Sequence, residues 1–166
     1  RSSDLNGNIP VHAFNLISPT FFANSSTGNK YSLWVNVYGV SERYLNVYGE
    51  KDLRAQMNQF FHRTYTHPVD GTTLDMKMLC NWYWYDETAI LETGKGTKDW
   101  NFYRYAETLL SAAEAIAQSS GVNAEAAGYL AQVKARANME GKDVSTIASE
   151  LQRLGKQAFI EECWKE

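Results

Sequence analysis

The stretch NFYRYAETLLSAAEAIAQ, residues 101–118, decides the fold class expected for this 166-residue chain. At about 100° per residue, its larger apolar side chains share one broad arc, and its smallest residues lie opposite. The arc comprises Phe102, Ala106, Leu109, Leu110, Ala113, Ile116 and Ala117, and the small side comprises Thr108, Ser111, Ala112 and Ala115. A helix of this kind can pack against neighbours on both sides. We therefore expect a helix over residues 100–118 within a stack of helices.

A second helix is expected to pair with the first. Asn123 can cap a helix over residues 124–138 that ends toward Gly141. Because the loop between the two helices is short, the sequence predicts an antiparallel helical hairpin.

Two more helical segments are expected after that hairpin. Asp143 or Ser145 can cap a third helix, and Gly155 interrupts it before a last helical segment over residues 156–166. The apolar face of the third helix comprises Val144, Ile147, Leu151 and Leu154.

The part upstream of residue 100 is predicted to be rich in loops, with short strands and one helix. YSLWVNVYGV (31–40) reads as a strand, and KDLRAQMNQFFHRTY (51–65) reads as a helix from the spacing of its apolar residues. THPVDGTT (66–73) carries a turn signal, and residues 78–91 are expected to form a hairpin. We treat residues 1–166 as a single partial domain, loop-rich over 1–99 and helical over 100–166.

The charge distribution and the length of the apolar runs argue against a nucleic-acid partner and against a membrane-spanning helix in this chain. The formal net charge is −3, and the basic residues are scattered through the chain, so we expect no nucleic-acid partner. No apolar run approaches the ~20 residues of a transmembrane helix, so any membrane link is expected to lie outside this chain.

Spacing among the reactive residues argues against metal and cofactor sites. His12, His62 and His67 show no ligand spacing, and neither do Cys80 and Cys163, so we expect no metal. His62 is expected on a helix surface. The sequence contains no GxSxG motif and no P-loop spacing, and we predict no cofactor.

Glu107 and Glu114 are the one pair that could suggest an enzyme. Their backbones would lie about 10 Å apart along a helix, which fits poorly with the roughly 5–9.5 Å between glycosidase carboxyl groups. We predict no catalytic residue, and expect both carboxylates to accept hydrogen bonds from a loop or to pair with basic side chains. The basic candidates are Arg104, Lys134 and Arg136.

Three segments together carry a family resemblance. They are DWNFYRYAETLLSAAEAIAQ (99–118), YLAQVKARA (129–137) and AFIEECWKE (158–166). The chain resembles the SusD/RagB family of surface glycan-binding lipoproteins of Bacteroidetes, in which Arg-Tyr-Ala-Glu-x-Leu-Leu, Ala-Glu-Ala and Leu-x-x-Val-Arg-x-Arg-Ala segments follow one another. The signature residues matched include Arg104, Tyr105, Glu107, Glu114 and Arg136.

The resemblance implies a mainly α, TPR-like scaffold with long loops and a short β-hairpin. It implies a non-catalytic glycan-binding component of an outer-membrane polysaccharide uptake system, which delivers oligosaccharide to a TonB-dependent, SusC-like transporter. It also implies a surface-exposed lipoprotein of the outer membrane whose lipid anchor lies outside this chain. The signature itself is scaffold in this family, so no binding residue carries over from it.

The chain also departs from the family pattern. Gln132 stands where members usually carry Lys, and an Arg near Cys163 is missing. The chain stops before a Gly-x-Arg-x-x-Asp-Leu segment and begins without an initiator Met or an export signal, so we expect a fragment. A cut helical stack should expose apolar surface along Leu109, Leu130 and Trp164.

NWYWYDET (81–88) is the best ligand-binding candidate. In a strand, Trp82 and Trp84 face one side while Tyr83 and Tyr85 face the other, so one pair can be presented to a sugar. Asn81 and Asp86 can bind the hydroxyl groups. The alternative is a core strand in a TPR-like protein-interaction scaffold without sugar binding. Weaker aromatic candidates, more typical of packing, are Trp34, Tyr38, Tyr44 and Tyr48.

Overall fold

The structure, a computed structural model, describes residues 41–66, 68, 71, 73–82 and 101–166. The described residues fall into two compact units, one containing residues 41–46 and those described between 54 and 82, and one containing residues 47–53 and 101–166. The fold is mainly helical, as predicted. The elements in order are α1 (Glu42–Leu45), a 3-10 turn (Leu53–Ala55), β1 (Phe61–Thr66), β2 (Thr73–Asn81), α2 (Tyr105–Ser120), α3 (Ala124–Ala135), α4 (Val144–Leu151) and α5 (Lys156–Lys165).

The second unit is built around α3, which packs against both α2 and α4, while α5 packs against α2. Small residues line much of this core, and a few large ones fill it. The residues with at most 2% exposure are Ala113, Ala117, Ala126, Ala127, Leu130, Ala131, Phe159 and Ile160. The alanine side chains are small and let the helix backbones approach closely. Because each alanine buries little apolar area, the large side chains contribute most of it.

The first helix starts later than expected. It begins at Tyr105 and not near residue 100, because Arg104 adopts an extended backbone (φ −123°, ψ 148°). Phe102 was expected on the apolar arc, but it precedes the helix and is 82% exposed. Aromatic side chains lose rotamer freedom in a helix, and without a core to cover Phe102 nothing compensates for that loss.

The helix-start signals read from the sequence are confirmed. The Asn123 side chain accepts a hydrogen bond from the Ala126 N–H at 2.9 Å, and the Asp143 carboxylate accepts one from the Thr146 N–H at 2.8 Å. Gly155 occupies the N-cap position of α5, as its predicted role in interrupting the helix requires.

The second helix ends three residues before the predicted boundary. Beyond α3, Leu53 N–H donates to the Ala137 carbonyl and Met139 N–H donates to the Lys51 carbonyl. These bonds are part of an antiparallel bridge between Asp52 and Asn138. The backbone after α3 therefore pairs with a distant segment, which no local pattern could indicate.

The helix predicted over residues 51–65 is wrong. Only a 3-10 turn forms at Leu53–Ala55, Asn58 takes a left-handed backbone (φ 61°), and a strand begins at Phe61. The apolar spacing fitted a helix, yet Leu53 and Met57 are 43% and 38% exposed. Pairing with another strand prevails over that spacing, because β-branched and aromatic residues suit a sheet.

β1 and β2 form an antiparallel hairpin, with Phe61 opposite Asn81 and Thr66 opposite Thr73. Gly71 has φ 73° in the connection, where the sequence carries its turn signal. Residues 78–81, the start of the hairpin predicted over 78–91, belong to β2 and pair upstream with β1. The rest of the hairpin predicted over 78–91, and the strand predicted over 31–40, lie outside the described residues.

The predicted apolar surface is only partly correct. Leu109 and Leu130 are buried at 7% and 0% exposure, whereas Trp164 is 65% exposed. In the described part of the chain, no helix is long and apolar enough to cross a bilayer.

Candidate functional site

Trp82 follows directly on β2 and is the one tryptophan of the NWYWYDET segment that the structure describes. Its backbone N–H donates to the Phe60 carbonyl at 2.9 Å, which extends the hairpin ladder by one residue. The indole is half-buried, and its ring centroid lies 5.9 Å from that of Tyr65. The strand pairing thus fixes the indole against one face of the hairpin.

The His62 imidazole stacks on the Trp82 indole, with ring centroids 3.9 Å apart and an interplanar angle of 15°. His62 pairs with Cys80, and Trp82 lies two positions beyond Cys80, so the strand pairing places both rings on the same face of the hairpin. His62 therefore covers one face of the indole, and that face is not open to a sugar ring. His62 lies on a strand, so its predicted place on a helix surface is wrong.

Burial lowers the pKa of His62 below its usual 6.5, against the opposing effect of hydrogen bonds with the backbone of Gln59 and Thr64. The charged imidazolium is favoured by contact with water, and the partly buried position of His62 withholds some of that water, so the neutral form is favoured. The contribution of His62 to stability is therefore fully present above pH ~6.5 and is lost as the pH falls through the lowered folded-state pKa.

We predict that the His62 imidazole titrates below pH 6.5 in an NMR titration. Removing the indole with Trp82→Ala exposes the imidazole, so its pKa should rise toward the ordinary value. His62→Gln assigns the resonance. A titration at or above 6.5 in the unaltered protein, or no change in the Trp82→Ala variant, would contradict the packing described here.

The other predicted ligand residues cannot be placed against Trp82. Only the backbone of Asn81 is described, at the end of β2. Tyr83, Trp84, Tyr85 and Asp86 lie outside the described residues, as do Trp34 and Tyr38. Of the weaker aromatic candidates, Tyr44 packs edge-on against Phe61 at 5.9 Å, which agrees with a packing role.

The signature residues lie in the helical unit, where three of them line a pocket of about 410 Å³. The pocket sits among the start of α2, the end of α3 and the first residue of α4. Its polar lining comes from Arg104, Tyr105, Gln132 and Arg136, and its apolar lining includes Leu109 and Val133. Sequence reasoning treated this signature as scaffold, and so missed that Arg104, Tyr105 and Arg136 line one pocket.

Glu107 and Glu114 do not form the ion pairs proposed for them. Lys134, one of the expected partners, pairs instead with Glu162 of α5 and with Glu166. Within the described residues, neither Glu107 nor Glu114 makes a hydrogen bond or an ion pair. The Lys134–Glu162 pair ties the end of α3 to α5, a role that the sequence had assigned to other acids.

The packing between the helices shifts the pKa values of two groups on α5, Glu162 and Cys163. Burial raises the pKa of the Glu162 carboxyl, but hydrogen bonds from Lys134 and Lys165 outweigh it, so the net shift is downward. Burial, with Glu114 nearby, raises the pKa of the Cys163 thiol to about 11, so this thiol is protonated at neutral pH and is a poor nucleophile. Among the described residues, no cluster of His, Cys, Asp or Glu could hold a metal ion.

Comparison with known protein families gives the same family as the signature residues of the helices. The model of the SusD family matches residues 22–166, which is most of the chain. The chain therefore belongs to the SusD family, and the resemblance read from its helices is confirmed. No curated protein matches the sequence.

A solved structure shares the fold. It is the crystal structure of a SusD superfamily protein from Parabacteroides distasonis ATCC 8503, with a TM-score of 0.69 and 22% sequence identity. The match covers 96% of this chain and 32% of that one, so the chain spans about a third of the length of the solved protein. At this identity the likeness concerns the fold alone.

Proposed function

We propose that this chain is part of a glycan-binding protein of an outer-membrane polysaccharide uptake system, which delivers oligosaccharide to a TonB-dependent, SusC-like transporter. The observation that carries the proposal is the match of the SusD family model over residues 22–166. The protein would act at the cell surface as a lipoprotein.

Binding without catalysis is the activity proposed. Glu107 is exposed on α2 and Glu114 is only half-buried, and the two stand about 10 Å apart along the helix axis. Such a pair does not enclose a glycosidic bond between an acid and a nucleophile or base. We therefore propose no catalytic role for either carboxylate.

Trp82 is the proposed platform for a sugar ring. Its indole is held by the hairpin backbone and packs on His62, so little ordering of this side chain is needed when a ligand binds. The neighbouring residues proposed to complete the site are Asn81, Tyr83, Trp84, Tyr85 and Asp86.

Trp82→Ala is expected to weaken glycan binding about two- to tenfold, since an aromatic stacking contact contributes about 0.5–1.5 kcal/mol. Tryptophan fluorescence during titration with a panel of plant, host and microbial polysaccharides would measure it. Trp164→Ala is the matched control, because Trp164 is 65% exposed on α5 in the other unit.

The titration separates three cases. Weaker binding by the Trp82 variant alone supports both the function and the platform. Equal binding by both variants removes the platform while leaving the function. If no glycan binds the unaltered protein, the proposed function fails.

A protein-interaction scaffold without sugar binding, of the TPR-like kind, is the second candidate. The partial burial of Trp82 and its ring contacts with His62 and Tyr65 favour it, because a core role for the aromatic strand would produce such packing. Under this alternative, Trp82→Ala would lower the unfolding temperature, and the unaltered protein would bind none of the polysaccharides.

A further inference from the structure

The pocket at the start of α2 carries an unbalanced positive charge. Arg104 and Arg136 both line it, and none of the lining residues that the structure describes is acidic. Neither guanidinium makes a hydrogen bond or an ion pair with the part of the chain that the structure describes. Two arginines at one pocket in a chain of net charge −3 form a local site for an anion.

The backbone adds to this charge. α2 runs for 16 residues, and its N-cap residue Arg104 supplies no side-chain hydrogen bond to the first turn. The first N–H groups of a helix lack partners within the helix and carry partial positive charge. α3 and α4 differ, because the side chains of Asn123 and Asp143 cap them. Thus α2, which opens onto the pocket, lacks the side-chain cap that α3 and α4 have.

Aromatic rings stand at the same place. Tyr105 lines the pocket and is 73% exposed. Phe102 and Tyr103, in the segment leading into α2, are 82% and 86% exposed. Large aromatic residues with such exposure are typical of surfaces that bind a ligand with an apolar face.

The remaining lining completes the chemistry that a sugar needs. The Gln132 amide nitrogen donates to the Gly128 carbonyl at 3.2 Å, which leaves its side-chain oxygen to accept a bond from a hydroxyl group. Leu109 and Val133 are buried and form an apolar wall. A volume of about 410 Å³ lies in the usual range for small-ligand sites.

We propose that this pocket binds an acidic oligosaccharide, such as a uronic-acid-bearing chain, through its carboxylate. The carboxylate binds Arg104, Arg136 and the N–H groups that open α2, and the sugar ring stacks on Tyr105. The proposal rests on the glycan-binding function proposed above and names the ligand class for a second site in the helical unit.

Isothermal titration calorimetry with an oligogalacturonide and with its carboxyl-reduced, neutral counterpart tests the proposal. We expect the acidic ligand to bind at least tenfold more tightly than the neutral one. Arg104→Gln and Arg136→Gln should each weaken its binding about tenfold, because each removes a charge-assisted contact. Affinity should also fall as salt is added.

Arg153→Gln is the control, since Arg153 is exposed after α4 and does not line the pocket. Unchanged thermal unfolding of all three variants shows that the fold is intact. Acidic binding that depends on Arg104 and Arg136, but not on Arg153, supports the site.

Two results would overturn it. If both ligands bind equally and the arginine variants behave as the unaltered protein does, the pocket is not the site, while glycan binding through Trp82 stands. If the oligogalacturonide does not bind but a neutral polysaccharide does, the acidic-ligand proposal alone fails. Absence of binding to every glycan overturns this proposal and the proposed function together.

Discussion

Replacing Phe159 by alanine is expected to lower the free energy of unfolding by about 3–5 kcal/mol, the range typical of a buried Phe→Ala substitution. Phe159 is fully buried on α5, in the core that includes Leu130 and Ile160. Much of that core is alanine, which cannot extend into the space vacated by a ring. A residual cavity should therefore remain and keep the cost toward the upper end of the range.

Chemical denaturation followed by far-ultraviolet circular dichroism measures this loss. Trp164→Ala, a change of similar size on the same helix, is the matched control, because Trp164 is 65% exposed. Its cost should stay within about 0.5 kcal/mol. Similar losses for the two variants would contradict the orientation of α5 described here.

Phe61→Ala is expected to have an effect of the same size, about 3–5 kcal/mol, in the hairpin unit. Phe61 has no exposed surface, and its ring makes edge contacts with Tyr44 at 5.9 Å and with Phe60 at 5.0 Å. Edge-to-face contacts add about 0.5–1.5 kcal/mol to the area term. Both contributions are lost together when the ring is removed.

Hydrogen exchange of the β1 backbone amides would show this loss directly, because weaker packing permits more frequent opening of the strand. Thr66→Ala serves as the control at the exposed end of β1, where the hydroxyl group shares a 3.1 Å hydrogen bond with Thr73. Its cost should not exceed about 1 kcal/mol. Unchanged exchange in the Phe61→Ala variant would show that Phe61 does not support the hairpin.

The helical unit was largely predictable because its signals are local. A cap such as Asn123 or Asp143 bonds an N–H three residues away, so the sequence shows both partners side by side. The start of α2 was misplaced because Phe102 continues the apolar spacing although no core covers it. The spacing of apolar residues predicts which face of a helix a residue would occupy. Whether the helix extends as far as that residue depends on whether a core is there to bury its side chain.

The hairpin was harder to predict because its partners are distant in sequence. Residues 51–65 satisfy a helical spacing, but β2 supplies strand pairing for their second half. The same pairing places His62 on Trp82 across 20 positions. Alternation along a strand indicates which of its residues share a face, but it does not indicate which other strand lies alongside.

Of the two candidate sites, one could be predicted from a local pattern and the other could not. Trp82 was singled out from its own segment, since an aromatic run with nearby amide and carboxylate groups is a local pattern. The pocket was missed, because Arg104 and Arg136 are 32 positions apart and meet only through the packing of α2 on α3. Unpaired charges become visible when the neighbours of each side chain are known.

The sequence alone determined the helix-rich class, the caps of α3 and α4, the break at Gly155 and the family signature, since each depends on residues within a few positions of one another. Only the tertiary structure decided that residues 61–66 form a strand, that Lys134 pairs with Glu162, and that Arg104 and Arg136 share a pocket. The physical reason is that these outcomes depend on contacts between distant segments, whose free energy exceeds the weak local preferences of the chain.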